Sequence, residues 1–325
     1  MPHRDAWKDF DFDFLTIERI PVNFGFCPPF EEVVLEENEH TRVIRDVYGV
    51  TFRQFKDQFE QGPASSMPQF IAHPLKDAED WEKLKERLDP HDPARFPDNW
   101  HELVQKYRNR EFPLQLGCFP YGFFGTLRDF MGLQNLLLAF FDQPELIRDI
   151  LDYLTDLWIE IWAKVVSRVD ADVAHFWEDM CYRGGPLISP ELFRHFMLPC
   201  YKRMTAFARD NGIDIITVDT DGNCWELIPL FLEGGVTGMW PFEVRAGMDI
   251  VEVRRRFPTL QICGGINLSA LSAGKEAMDE ELNKIALMLP TGGYIPFFDN
   301  DLLHDIPWEN YRYFVTRQRE ILQSA

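Results

Sequence analysis

Residues 212–229 read Gly-Ile-Asp-Ile-Ile-Thr-Val-Asp-Thr-Asp-Gly-Asn-Cys-Trp-Glu-Leu-Ile-Pro and contain the two acids best spaced for chemistry, Asp219 and Asp221. Ile213, Ile215, Ile216 and Val218 form a short apolar, β-branched run that fits a strand buried on both faces. The run ends in Asp219-Thr220-Asp221-Gly222-Asn223, and a helical pattern starts at Trp225. Side chains alternate along a strand, so Asp219 and Asp221 point the same way, with Thr220 opposed. Two carboxylates so placed repel each other in a dry site. They serve as metal ligands, as a pair sharing a proton, or as solvated loop residues. Asp-Gly-Asn is also ordinary turn chemistry.

Polar residues follow other apolar runs in the same way. Tyr121 comes after 113–117, Glu178 and Asp179 after 172–177, Glu243 after 236–240 and Asn267 after 260–263; Asp299, Asn300 and Asp301 follow 294–298. Asp221, Glu178 and Asp219 are the candidate catalytic acids. Tyr121, Trp177, Glu243, Asn267 and Asn300 are the candidates to hold a substrate. Aromatic residues near these loops (Phe119, Tyr121, Phe123, Trp177, Trp240 and Phe298) suit a flat or apolar small molecule, although a core uses the same residue types. His175, inside a strand, reads as a hydrogen-bonded barrel residue, and His304 follows a loop.

Positioning these groups requires strands alternating with helices. Helical patterns run over 136–141, 144–168, 190–210, 225–233, 249–257 and 275–289. Strand then helix, repeated, implies parallel pairing through right-handed crossovers. Six such units, with one or two strands from the first third, predict a (β/α)8 barrel, an α/β TIM barrel whose loops converge on one face. A doubly wound sheet is the alternative, but no strand leads into Gly-x-Gly-x-x-Gly or a phosphate loop.

Residues 1–110 are denser in charge and turns, and predict a helical and hairpin elaboration packed on the main run of 111–325. Within it the pattern predicts an arm to about residue 18, a short strand from Arg19 and a helix over 30–39. A hairpin around Tyr48-Gly49 follows, then helices over 77–88 and 101–110. No Gly/Ser/Pro-rich linker separates the two parts, which predicts a single domain over 1–325.

A net charge of −20 argues against nucleic-acid binding and against attraction to anionic membranes. No apolar run approaches the roughly 18 residues of a spanning helix, and the first residues lack the pattern of a signal peptide. The six cysteines are scattered without Cys-x-x-Cys, which predicts reduced thiols in a cytoplasmic protein.

Longer stretches carry a family resemblance. Phe176-Trp-Glu-Asp-Met-Cys-Tyr-Arg-Gly-Gly-Pro-Leu-Ile-Ser-Pro-Glu-Leu-Phe resembles a signature of the uroporphyrinogen decarboxylase superfamily. So do Asp221-Gly-Asn, Gly247-Met-Asp, Gly264-Gly-Ile-Asn and Gly292-Gly-Tyr-Ile-Pro. Tyr48-Gly-Val-Thr, Met67-Pro-Gln-Phe and Leu75-Lys-Asp-Ala-Glu-Asp-Trp resemble the N-terminal third of its less-characterised members. The resemblance implies a (β/α)8 barrel with a deep central cleft. It also implies either decarboxylation of a porphyrinogen or methyl transfer between a small molecule and a corrinoid protein.

Two departures choose between these. True decarboxylases carry an Arg-x-x-Gly-Arg type motif for substrate carboxylates, and here the matching region is Asn23-Phe-Gly-Phe-Cys-Pro-Pro, without arginine. Bidentate arginine is the strong way to hold a carboxylate, so a polyanionic ring fits this chain poorly. The zinc-dependent methyltransferases bind metal through His-x-Cys and a distant Cys. Asp219-Thr-Asp221 stands where His-x-Cys would, and Asn300 stands near the distant Cys, so the implied ligands are hard oxygen donors suited to a weak divalent site.

The preferred expectation is a methyltransferase-like enzyme that demethylates a small methoxy or methylamino compound and passes the methyl to a corrinoid on a partner protein. A lyase that decarboxylates a different substrate is the alternative. A catalytically silent paralogue that binds a ligand or a corrinoid partner is the third reading.

Overall fold

A computed structural model describes residues 17–56, 67–300 and 306–324. The chain opens with β1 (Glu18–Arg19) and then forms an antiparallel sheet of β2 (Val33–Glu37), β3 (Thr41–Arg45), β4 (Thr51–Phe55) and β5 (Gln69–Ala72). Helices α1 (Ala78–Lys85) and α2 (Trp100–Arg108) lead into β6 (Leu114–Leu116). Three helices follow: α3 (Phe123–Met131), α4 (Leu133–Asp142) and α5 (Pro144–Val166). Next come β7 (Val173–Trp177), a small hairpin of β8 (Cys181–Tyr182) and β9 (Gly185–Pro186), α6 (Leu198–Asp210) and β10 (Ile215–Thr220). The run closes with α7 (Ile228–Glu233), β11 (Gly238–Pro241), α8 (Ile250–Arg256), β12 (Gln261–Cys263), α9 (Lys275–Met288), β13 (Tyr294–Ile295) and α10 (Trp308–Ser324).

Strand order decides between the two expected architectures. The main sheet runs β1-β6-β7-β10-β11-β12-β13, every neighbouring pair parallel and in chain order. A doubly wound sheet reverses its order at a switch point; this one never does. It curls in one direction, as the barrel expectation requires, with seven strands among the described residues.

Burial follows the period of two that a strand imposes. On β10, Ile216, Val218 and Thr220 are buried against the helices, and Thr217 and Asp219 take the inner face. On β7, Phe176 packs outward on Tyr201 and Trp162, with ring centroids 5.3 and 5.7 Å away. Helix α5 buries Ile147, Ile150, Leu151, Leu154, Trp158, Ile161 and Val165 along one stripe. Each such side chain contributes roughly 1.5–3 kcal/mol relative to exposure.

The first third is tied to this core. Leu75 donates its N–H to the Phe130 carbonyl (2.9 Å), and Trp81 Nε1 donates to Asp149 (2.6 Å). The buried guanidinium of Arg95 donates to the carbonyls of Asn23, Gly25, Arg87 and Asp89.

Two local expectations fail. Residues 30–39 do not form a helix: β-branched Val33 and Val34 pair with β3, and the acids Glu36 and Glu37 meet Arg53 and Lys56 on the edge. The segment between β6 and α4, which showed no helical pattern, forms α3. Asp301 and His304, and most of the N-terminal arm, lie outside the described residues.

Candidate active site at the carboxyl end of the barrel

Hydrogen bonds link the loops at the carboxyl ends of the strands one to the next. Trp177 donates its N–H to the Tyr121 carbonyl (2.9 Å), and Glu178 donates its own to the Asp219 carbonyl (2.9 Å). The Gly222 N–H reaches Glu243 Oε2 (3.0 Å), and Val244 and Leu268 donate to the two oxygens of Asp299 (2.9 Å each). Gly222 has a φ of +76°, and a Cβ there would lie 2.6 Å from the Cys181 backbone, so the turn after Asp221 requires glycine. The predicted convergence on one end of the barrel is therefore a set of specific contacts.

The acids divide into two groups. Glu178 is fully buried and accepts from the amides of Phe123 (2.9 Å), Phe124 (2.6 Å) and Gly125 (3.2 Å), and from the Tyr201 hydroxyl. It caps α3, satisfying N–H groups that a helix start leaves orphaned and meeting the positive end of its dipole. Burial pushes its carboxyl up to about 7, against the pull of those four donors. With both oxygens engaged it positions α3. It is removed from the candidate reacting groups for that reason.

Glu243 and Asp299 likewise hold loop amides, and Asn267 Oδ1 accepts from the Ser269 N–H (3.0 Å) at its own turn. Tyr121 is half-buried, with its hydroxyl hydrogen-bonded to Tyr48 and its ring against Phe24. Asn300 is exposed at the edge of the described chain.

Asp219 stands at the carboxyl end of β10, and Asp221 follows it in the loop. The register sets Asp219 between Trp177 on β7 and Trp240 on β11, all three on the inner face. Below them lie His175 and Thr217, joined by a 2.9 Å hydrogen bond. Burial, then the charge of Arg19, lowers His175 to about 4, so the ring is neutral. On the far side burial and the nearby Asp219 charge push Cys263 up to about 11, so this cysteine is a thiol. Asp221 follows two residues on, half-buried.

One titrating group escaped sequence reasoning. On α3, Arg128 donates to the side chain (2.7 Å) and carbonyl (2.8 Å) of Asp179, and lies 4.8 Å over the Trp177 ring. Beside it, burial pushes the Asp129 carboxyl up to about 7; Arg128 opposes this, and Asp46 and Asp179 add to it. Nothing local marks Asp129, because its environment comes from the turn holding Asp46 and the loop holding Asp179. A carboxyl raised in the folded state keeps its proton longer than in the unfolded chain. Its contribution to stability is thus complete below the ordinary carboxylate range and is lost as pH rises through about 7. Asp129→Asn is expected to flatten the fall in urea midpoint between about pH 5 and about pH 8; an unchanged slope would assign the fall to Glu178, Asp46 and Asp299, which burial also raises.

The metal implied at Asp219, Asp221 and Asn300 meets an oxygen-only donor set. Among the described residues no three His, Cys, Asp or Glu side chains gather as a metal site. Two carboxylates and an exposed amide do not fit a zinc that relatives hold through imidazole and thiolate. Chelator-washed protein is expected to retain zinc far below one equivalent by elemental analysis. Among the described residues no helix is long and apolar enough to cross a membrane.

The structure is similar to a methyltransferase from Methanosarcina mazei, with a TM-score of 0.55 and 17% identity over 79% of this chain and 73% of that one. A more distant likeness, with a TM-score of 0.37 and 9% identity over 77% of this chain and 95% of the other, is to the 3-keto-D-glucoside 4-epimerase YcjR from E. coli. No curated protein sequence matches the chain. The profile of the family described as uroporphyrinogen decarboxylase (URO-D) matches residues 58–321. With a parallel barrel sheet in chain order and loop acids gathered at its carboxyl end, the chain belongs to the uroporphyrinogen decarboxylase family.

Proposed function

We propose that this family member is a methyl-transferring enzyme, which removes a methyl group from a small methoxy or methylamino compound and passes it to a corrinoid carried by a partner protein. The observation that carries the reading is the register at the strand ends, which sets Asp219 between Trp177 and Trp240 at the carboxyl end of β10, with Asp221 following in the loop. The methyltransferase likeness supports it at the level of the fold.

Loss of a methyl group leaves an electron pair on the donor atom: an ammonium donor departs as a neutral amine, whereas a methoxy donor would depart as an alkoxide, a poor leaving group at neutral pH. With a methoxy donor, Asp221 delivers a proton to the oxygen as its bond to the methyl breaks. Asp219 orients the donor from the strand end, and Glu178 acts through α3, which carries Arg128 and Asp129. The exposed side chains of Phe119, Ile295 and Phe297 (57, 62 and 52% exposed) offer an apolar rim that would meet a flat macrocycle. When bound, the corrinoid supplies the nucleophile for the methyl group.

The test is a panel of methoxylated and N-methylated compounds incubated with the protein and chemically reduced cobalamin, followed by the absorbance of methylcobalamin. At least one donor should give protein-dependent methylation. Carbon dioxide release from a carboxylated substrate, with no methylation from any donor, would replace this reading with the lyase.

A further inference from the structure

We infer that the outer face formed by β5 and α4 is where two copies of this chain pair. The inference rests on that surface alone and is independent of the reaction proposed above.

Helix α4 supplies the first observation. Its sequence, Leu-Gln-Asn-Leu-Leu-Leu-Ala-Phe-Phe-Asp, is apolar on nearly every side, and a helix apolar all round is ordinarily buried all round. Only one side is covered here. Leu136, Ala139 and Phe140 are buried, with Phe140 edge-on to Phe196 at 5.1 Å. Leu138 and Phe141 are 54 and 72% exposed, and Leu133 is exposed as well. Leu133, Leu137 and Phe141 recur every four residues, so with Leu138 they form one stripe about 12 Å long.

Strand β5 continues this stripe. The Phe70 ring lies 5.8 Å from the His73 ring, which packs onto Gly132 at the start of α4; a Cβ on Gly132 would meet it at 2.6 Å. Side chains alternate along a strand, yet the neighbours Phe70 and Ile71 are both exposed, so β5 is uncovered on both faces. Met67, just before it, is 83% exposed. The opposite edge of the same sheet is guarded in the usual way. There β2 carries Glu36, Glu37 and a register shift, whereas β5 has no charged residue.

Charge names the occupant. Residues 67–73 and 132–141 hold no Asp, Glu, Lys or Arg, in a chain that is 26% charged with a net charge of −20. A basic partner recruited by charge would need acids on this face, because opposite potentials steer association. None is present. Two copies repel each other over their acidic surfaces and can meet across an uncharged face. A two-fold axis lays such a face on itself, apolar against apolar, with no like charges opposed. The area suits a pair too. Monomers seldom leave more than about 300–600 Å² of contiguous apolar surface open, and a specific interface takes about 800 Å² from each partner. Six exposed apolar side chains with the backbone between them are of that order.

Pairing there also braces the helix beside the candidate site. His73 is hydrogen-bonded to the Asp129 carbonyl (2.9 Å), and the preceding residue of α3, Arg128, lies over Trp177.

Sedimentation velocity of the intact protein across the micromolar range tests the inference. The mass should be that of two chains, with a micromolar or tighter dissociation constant. Leu138→Glu combined with Phe141→Glu should raise that constant about 100-fold or more, and Ile71→Glu at least about tenfold. These positions are exposed, so urea midpoints should stay near wild type. Leu287→Glu, at an exposed position of α9, should change neither readout. Added sodium chloride should tighten the pair, because screening weakens repulsion between two chains of charge −20. A monomer throughout overturns the inference. So does a dimer that either the β5 or the α4 substitutions leave intact, one that Leu287→Glu dissociates, or one that salt weakens.

Discussion

Glu178→Ala is expected to destabilise the fold by about 3–5 kcal/mol, a cost typical of deleting one partner from a buried charged network. The substitution strands the amides of Phe123, Phe124 and Gly125 and the hydroxyl of Tyr201, all in a site without solvent access. Each unsatisfied group costs about 1–3 kcal/mol, with partial relief from relaxation or an entering water. Glu178→Gln keeps one acceptor oxygen but turns an NH2 group toward a donor, so it should fall between wild type and alanine. The urea midpoint reads the effect. Activity should fall with it, because α3 carries Arg128 and Asp129 to the mouth of the barrel. If Glu178→Ala left the midpoint unchanged and abolished turnover, Glu178 would return to the list of reacting groups.

The opposite pattern is expected at the lip. Asp221→Ala should lower turnover of a methoxy donor about 100-fold or more, the usual contribution of a positioned proton donor. The urea midpoint should stay within roughly 1 kcal/mol of wild type, because Asp221 is half-buried in a loop. Asp221→Asn keeps the shape and the polar contacts but cannot deliver the proton, so it should resemble alanine in kcat. Measured kcat and KM locate the effect: loss at Asp221 belongs in kcat. Full activity in Asp221→Ala would end its assignment as the donor.

The two acids also show how far local sequence carries. Asp219-Thr-Asp221 and Phe176-Trp-Glu178 read alike on the page: a buried strand ending in carboxylates. Strand alternation correctly turned Asp219 inward beside Trp177, since a period of two needs only the strand itself. It could not show that Glu178, one residue past β7, folds back onto a helix that starts 55 residues earlier. Helix α3 was missed for the same reason. Its cap is a distant side chain, and Gly122 and Gly125 within Gly-Phe-Phe-Gly lower its local propensity. Those glycines are required because a Cβ at either would lie within 2.5 Å of the Trp177 carbonyl. Residues 30–39 erred the other way: an acidic composition pointed to a helix, and pairing with β3 made Val33–Glu37 a strand.

By itself the sequence determined the barrel class, the positions of its strands and the end at which its polar loops gather. Each of these depends on short-range periodicity and on the rule that parallel strands cross over in one hand. It also carried the family, through motifs long enough to be specific. Only the tertiary structure decided that Glu178, Glu243 and Asp299 hold loops, because that depends on amides supplied by neighbouring units. It alone brought Arg19 near enough to act on His175 and raised Asp129 to about 7. Both follow from burial and through-space charge, which arise between elements far apart in the chain.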